Sequence, residues 1–104
     1  MKLTSYYLGS VLLIGLRTKF FSDEILYFEG DINYTKIYFR AGQRKMIART
    51  LLYVQQRVDI KDFVRVSRKH LVNRKFIVQI NEDVVVLADR TELPISRRKR
   101  NGLM

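Results

Sequence analysis

The residues with most chemistry to offer are cations that stand with no acid beside them. Arg68 and Lys69 follow the run Phe63-Val64-Arg65-Val66-Ser67, and Arg97-Arg98-Lys99-Arg100 follow Leu93-Pro94-Ile95-Ser96. A guanidinium is permanently charged, and its planar fork matches the O6 and N7 acceptors of guanine or two oxygens of a phosphate. Two apolar strand-like runs, each delivering cations to a short turn, suit a nucleic-acid groove better than a catalytic pocket. The competing reading of Arg68 is a surface ion pair with Asp59 or Asp62. For 97–100 it is a frayed basic end that touches backbone only. Ser96 can bond a phosphate or cap the end of a strand.

Catalysis has little to build on. His70 is the single histidine, with no paired Ser or Cys and no acid partner that spacing can identify, so a packed histidine and no enzyme activity are expected. The absence of cysteine excludes disulfides and thiolate metal sites, and one histidine is too few for zinc, so neither metal nor cofactor is expected. Glu29 fits a structural hydrogen bond or salt bridge better than acid chemistry. Tyr34, Lys36 and Tyr38 share a strand face, the arrangement of a single-strand stacking platform, although such tyrosines more often pack or touch phosphate.

The elements that position these groups follow from periodicity. Thr35, Ile37 and Phe39 alternate with Tyr34, Lys36 and Tyr38, the pattern of a half-buried strand, and Ala41-Gly42-Gln43 supplies a turn. Phe76, Val78 and Ile80 alternate likewise, Asn81-Glu82-Asp83 turns, Val84 to Leu87 returns, and Asp89-Arg90-Thr91 turns again. Pro94 cannot donate a ladder hydrogen bond, which places Leu93-Pro94-Ile95 at a sheet edge or a strand start. One helix is expected near 50–58, with Thr50 as N-cap and Leu51, Val54 and Val58 on one face. The fold class is therefore all-β, mostly antiparallel, with one short α-helix.

At 104 residues there is room for one domain. Residues 1–10 read as an N-terminal extension and 11–104 as the domain. Val11 to Leu16 reads as a buried first strand; it is short, interrupted by Gly15 and lacks a cleavage site, so no signal peptide is expected. No apolar stretch approaches the ~20 residues of a membrane span, and a cytoplasmic location is expected. The net charge of +10 calls for an anionic partner, nucleic acid before a membrane surface. All ten acids fall in 23–31, 59–62 and 82–92, leaving 32–58, 63–81 and 93–104 basic and acid-free. A solvated surface usually mixes the signs.

Three segments, in order, give the chain a resemblance. Ile25-Leu26-Tyr27-Phe28-Glu29 leads to Asn33-Tyr34-Thr35-Lys36-Ile37-Tyr38. Thr50-Leu51 and the short helix lead to Phe63-Val64-Arg65-Val66 and Leu71-Val72-Asn73. Leu93-Pro94-Ile95-Ser96-Arg97 closes the set. From about residue 11 onward the chain resembles the LytTR family of bacterial DNA-binding domains, the output domains of response regulators. The resemblance implies an elongated fold of small stacked β-sheets whose loops at one edge enter successive major grooves. Carried onto this chain, it places base contacts at Tyr34 or Thr35, at Arg68 and at Arg98. Asn33, Lys36, Lys69, Ser96, Arg97, Lys99 and Arg100 would then hold phosphates. Ser67 stands where the family has His, Lys69 where it has Ser and His70 where it has Tyr. The family's Ser can bond backbone in the turn, which Lys69 cannot copy. Asp89-Arg90 replaces a Gly-containing turn.

The function expected is sequence-specific binding of double-stranded DNA by a transcriptional regulator. The alternative is a small basic RNA- or single-strand-binding β domain stacking bases on Tyr34 and Tyr38; a partner-binding adaptor ranks third. The few residues before 11 cannot form a receiver domain. Input is then expected from abundance, from a homodimer on repeated half-sites or from a separate regulatory protein.

Overall fold

The computed structural model describes residues 11–14 and 18–99, with side chains from Phe20 onward. Its strands, in chain order, are β1 (Val11–Ile14), β2 (Thr18–Phe21), β3 (Ile25–Asp31), β4 (Tyr34–Phe39), β5 (Arg44–Ile47), β6 (Phe63–Arg65), β7 (His70–Asn73), β8 (Ile77–Ile80), β9 (Val84–Leu87) and β10 (Glu92–Pro94). An α-helix, α1 (Leu51–Gln55), joins β5 to β6. All strand pairs are antiparallel, in a β1-β2 hairpin, a central sheet ordered β5-β4-β3-β7-β6 and a three-stranded sheet ordered β10-β9-β8. The expected burial of the first strand's side chains lies outside the described residues.

Both faces of the central sheet are covered, which is why β3 reads as continuous apolar sequence rather than alternation. One face carries Ile25, Phe28, Ile37, Phe39, Phe63 and Leu71 against Leu51 and Val54 of α1. The other carries Leu26, Tyr27 and Val72 against Val85, Leu87 and Leu93 of the outer sheet. A bulge between Ile25 and Tyr27 helps β3 serve both layers. Stacking the layers gives an elongated body of 42 × 30 × 23 Å.

Local chemistry explains the connections. Thr50 caps α1, its Oγ1 accepting from Tyr53 N at 3.1 Å. The helix is shorter than the expected 50–58 because the chain turns after Gln55. Val58 N still reaches Val54 O at 3.2 Å, and Val58 packs on the core from outside the helix. Gly42 takes φ +97°, as its turn requires, and Pro94 lies on the edge strand β10. Asn73 is buried at the end of β7. Its Nδ2 donates to Ser22 O and Ile25 O, at 3.0 and 2.9 Å, and its Oδ1 accepts from Lys75 N at 3.0 Å. That amide ties β7 to the start of β3. Among the described residues, no helix is long and apolar enough to cross a membrane.

Candidate nucleic-acid interface

Three loops converge at one end of the central sheet. The β3–β4 hairpin closes on Ile32-Asn33, with Asp31 paired to Tyr34. Gly30 N, on its rising strand, donates to Lys69 O at 2.8 Å, which joins this hairpin to the β6–β7 turn. Val66, fully buried at the root of that turn, donates its N–H to His70 O (3.1 Å) and accepts from Ser96 N at 2.9 Å. The second bond joins the turn to the segment after β10. Residues far apart in sequence are thus held in one row by backbone hydrogen bonds.

The middle turn is the most heavily braced. Ser67 Oγ accepts from Lys69 N and His70 N, both at 3.2 Å, so Ser67 does the backbone-bonding work that Lys69 cannot. Arg65 is folded inward, with Nε donating to Ser67 O at 2.7 Å, Nη1 to Gln55 Oε1 at 2.6 Å and Nη2 to Arg68 O. Partial burial lowers the Arg65 pKa from its ordinary value. The Arg65 guanidinium clamps the turn and ties it to α1. With the carbonyls drawn inward, the Arg68 and Lys69 side chains stand exposed.

His70 is buried beneath this turn. Its Nε2 lies 3.1 Å from Glu29 Oε2, and its Nδ1 lies 3.4 Å from Ser67 Oγ. Tyr38 donates its hydroxyl to Glu29 Oε1 at 2.9 Å. Burial works against the Glu29 carboxylate, but the bonds from Tyr38 and His70 outweigh it and hold its pKa below the ordinary range. Burial is the largest influence on His70 and pushes it down, against the pull of Glu29. The two shifts do not describe a simple ion pair, in which His70 would rise. We take His70 as neutral and donating to an ionised Glu29. A Ser–His–Glu line resembles a nucleophile and its base, yet Ser67 Oγ is occupied as a turn acceptor and the array braces the turn. Glu29, 41 residues from His70, is the acid partner that spacing could not identify.

Tyr34 is 49% exposed at the foot of its hairpin, and Asn33 is exposed at the tip. Thr35 is fully buried, its hydroxyl donating to Arg49 O at 2.8 Å. Its assignment as a base contact is corrected, since strand alternation turns it to the core and leaves Tyr34 as the surface residue of the pair. Lys36 is half-buried on the Tyr34 face. After β10, residues 97–99 are helical rather than frayed, with Ser96 Oγ accepting from Lys99 N at 3.2 Å. That cap uses an acceptor, so the Ser96 O–H can still donate to a phosphate. Arg97 and Arg98 are exposed and Lys99 half-buried; Arg100 lies outside the described residues. Arg98 and Lys99 line one cleft of about 320 Å³ with Gln55, Phe63 and Arg65, which seats the third loop beside the second.

Many other cations are engaged. Arg44 lies 5.6 Å from the Tyr38 ring centre, Lys45 5.6 Å from Phe20, and Arg49 and Arg57 sit 4.9 and 3.5 Å from Tyr53. Lys75 pairs with Asp23 at 3.0 Å. Among the described residues, Lys36, Arg40, Lys61, Arg68, Lys69, Arg90, Arg97, Arg98 and Lys99 have neither an ion pair nor a ring partner, and Arg65 and Arg74 donate only to uncharged oxygens. The competing pairing of Arg68 with Asp59 or Asp62 is not made. Five of these unpaired cations, Arg68, Lys69, Arg97, Arg98 and Lys99, sit together on the second and third of the joined loops, while Arg40, Lys61 and Arg90 are spread over other turns.

Stacked antiparallel sheets that hold unpaired cations together on joined loops are the architecture of a β-built DNA-binding domain. Residues 18–104 match the LytTr DNA-binding domain family, and the chain belongs to it. It is similar to two proteins of Paraburkholderia xenovorans (strain LB400), the heme-containing CO-sensing transcriptional regulators RcoM 1 and RcoM 2. Each is 29% identical over 94% of this chain. The chain spans 36% of the length of either relative. A solved LytTr DNA-binding domain from Bacillus cereus matches with a TM-score of 0.75 at 15% identity, covering 90% of this chain and 91% of that one. At that identity the likeness is one of fold, and it agrees with the all-β architecture expected from the sequence.

Proposed function

We propose that the domain binds double-stranded DNA sequence-specifically and acts as a transcriptional regulator, its loops entering successive major grooves. The observation that carries this is the pair of hydrogen-bonded loops that bring the unpaired Arg68, Lys69, Arg97, Arg98 and Lys99 together. Tyr34, Arg68 and Arg98 would touch base edges, Arg68 and Arg98 by forking onto guanine. Asn33, Lys36, Lys69, Ser96, Arg97 and Lys99 would hold phosphates and set the register. A cytoplasmic location follows from access to bacterial DNA. A second copy on a repeated half-site, or a separate regulatory protein, would supply control.

The single-strand alternative has less support, because the Tyr38 ring stacks on Tyr27 at 4.4 Å and its hydroxyl is held by Glu29. Selection of the domain's targets from random duplex DNA tests the proposal. A recurrent motif, bound more tightly as duplex than as either strand, is the expected result. Absence of any motif, or tighter binding to single strands, would overturn it.

A further inference from the structure

Ile32 combines two local costs with no return inside the chain. At 87% exposure it is the most exposed of the large apolar residues described, and it holds φ +56°. The left-handed region is unfavourable for any side chain and worst for a β-branched one. A two-residue hairpin loop with positive φ at its first position ordinarily uses Gly there. Packing does not explain the choice either, since nothing buries the side chain.

Its setting indicates what it meets. The loop is fixed at its base by the Asp31–Tyr34 pair, and Gly30 N–Lys69 O ties it to the turn bearing Arg68. The segment Asp31-Ile32-Asn33-Tyr34 contains a carboxylate and no cation. Asn33 is the one group of this tip suited to a phosphate, and Ile32 beside it is suited to pass between the backbones rather than rest on them. The apolar group displayed on base edges in the major groove is the thymine C5-methyl. Isoleucine's branched side chain is stiff at χ1, so little freedom is lost on contact.

We propose that Ile32 is a specificity-determining residue that packs against a thymine C5-methyl in the groove entered by the β3–β4 hairpin. The inference rests on the duplex-binding proposal above and extends it to a base and a residue that the family resemblance did not assign.

The test replaces each thymine of a selected duplex, one at a time, by deoxyuridine, which lacks only the methyl group. The intact chain is expected to lose about three- to tenfold in affinity at one or two positions, the scale of one buried methyl contact. Ile32→Gly and Ile32→Asn, both suited to positive φ, should lose a similar factor on the unmodified duplex and ignore the replacement at those positions. Their unfolding temperatures, expected to match or exceed the parent's, exclude misfolding as the cause. If no single replacement weakens the parent, or if the variants remain equally sensitive, the inference is overturned. If a motif with an Arg68-dependent guanine is found but no methyl dependence, this inference alone fails. If no motif is found, the duplex reading fails with it.

Discussion

His70 Nε2 meets Glu29 Oε2 at 3.1 Å across the β7–β3 pair, directly beneath the turn that presents Arg68. A carboxylate only accepts, so Nε2 carries the proton and Nδ1 keeps its lone pair. That lone pair faces Ser67 Oγ at 3.4 Å, while the same oxygen accepts the Lys69 and His70 amides. One tautomer thus satisfies the chain from Tyr38 through Glu29 and His70 to the turn, and the turn inherits the rigidity of the sheet.

This arrangement makes stability fall in acid in two stages. Folded His70 titrates below its ordinary 6.5, so the unfolded chain takes up the proton first and stability declines as pH drops from about 6.5 toward the folded value. Glu29 is also lowered, from 4.5; its contribution is complete above that value and is lost as pH falls through the folded one. Thermal unfolding from pH 7.5 downward should show the first decline in the parent and not in His70→Gln. A parent midpoint that rises as pH falls through 6.5 would refute the neutral histidine.

Arg65 is a positioning residue with a distinct signature. Arg65→Met keeps the apolar stem and removes the three bonds to Ser67 O, Arg68 O and Gln55, costing about 2 kcal/mol of stability. Affinity for a preferred duplex should drop about tenfold or more, with the salt dependence unchanged. A slope reduced by about one would instead mark Arg65 as a phosphate anchor.

Asn73 should matter to folding alone. Asn73→Ala removes the bonds to Ser22 O, Ile25 O and the Lys75 N–H, a loss of about 3 kcal/mol measurable by urea unfolding. Where the variant is folded, its duplex preference should match the parent's.

Relief of backbone strain is separable from recognition. Ile32→Gly should raise unfolding stability by roughly 0.5–1 kcal/mol, since glycine's greater unfolded freedom offsets part of the gain at φ +56°. A clear loss of stability would show that the hairpin needs the isoleucine for folding.

The parts of this fold that were legible in the sequence are those fixed by local rules. Alternation at Tyr34–Phe39, the Thr50 cap, the Gly42 turn and the edge position of Pro94 each follow from a few adjacent residues. Alternation also held the information that turns Thr35 inward, although the family correspondence left Tyr34 and Thr35 open. What could not be read is set by distance or runs against propensity. Glu29 finds His70 only once β3 and β7 pair, and Arg65 turns inward only because α1 brings Gln55 to it. Ile32 at φ +56° and Arg90 at φ +74° occupy places where propensity favours glycine, and Arg90 does so in the very turn where the family's glycine is missing.

Recognition of bases by the braced turn is tested most directly by Arg68→Ala. Arg68 is exposed and unpaired, so its removal should leave stability within about 0.5 kcal/mol. Affinity should be compared on the selected duplex and on a scrambled one, from 50 to 200 mM salt, where ~6 phosphate contacts predict a fall on the order of 10³-fold for the parent. Arg68→Ala should lose about 1–3 kcal/mol on the selected duplex, far less on the scrambled one, and relax discrimination at one or two base pairs. Equal losses on both duplexes, with a shallower salt slope, would make Arg68 a phosphate anchor and contradict base recognition by this turn.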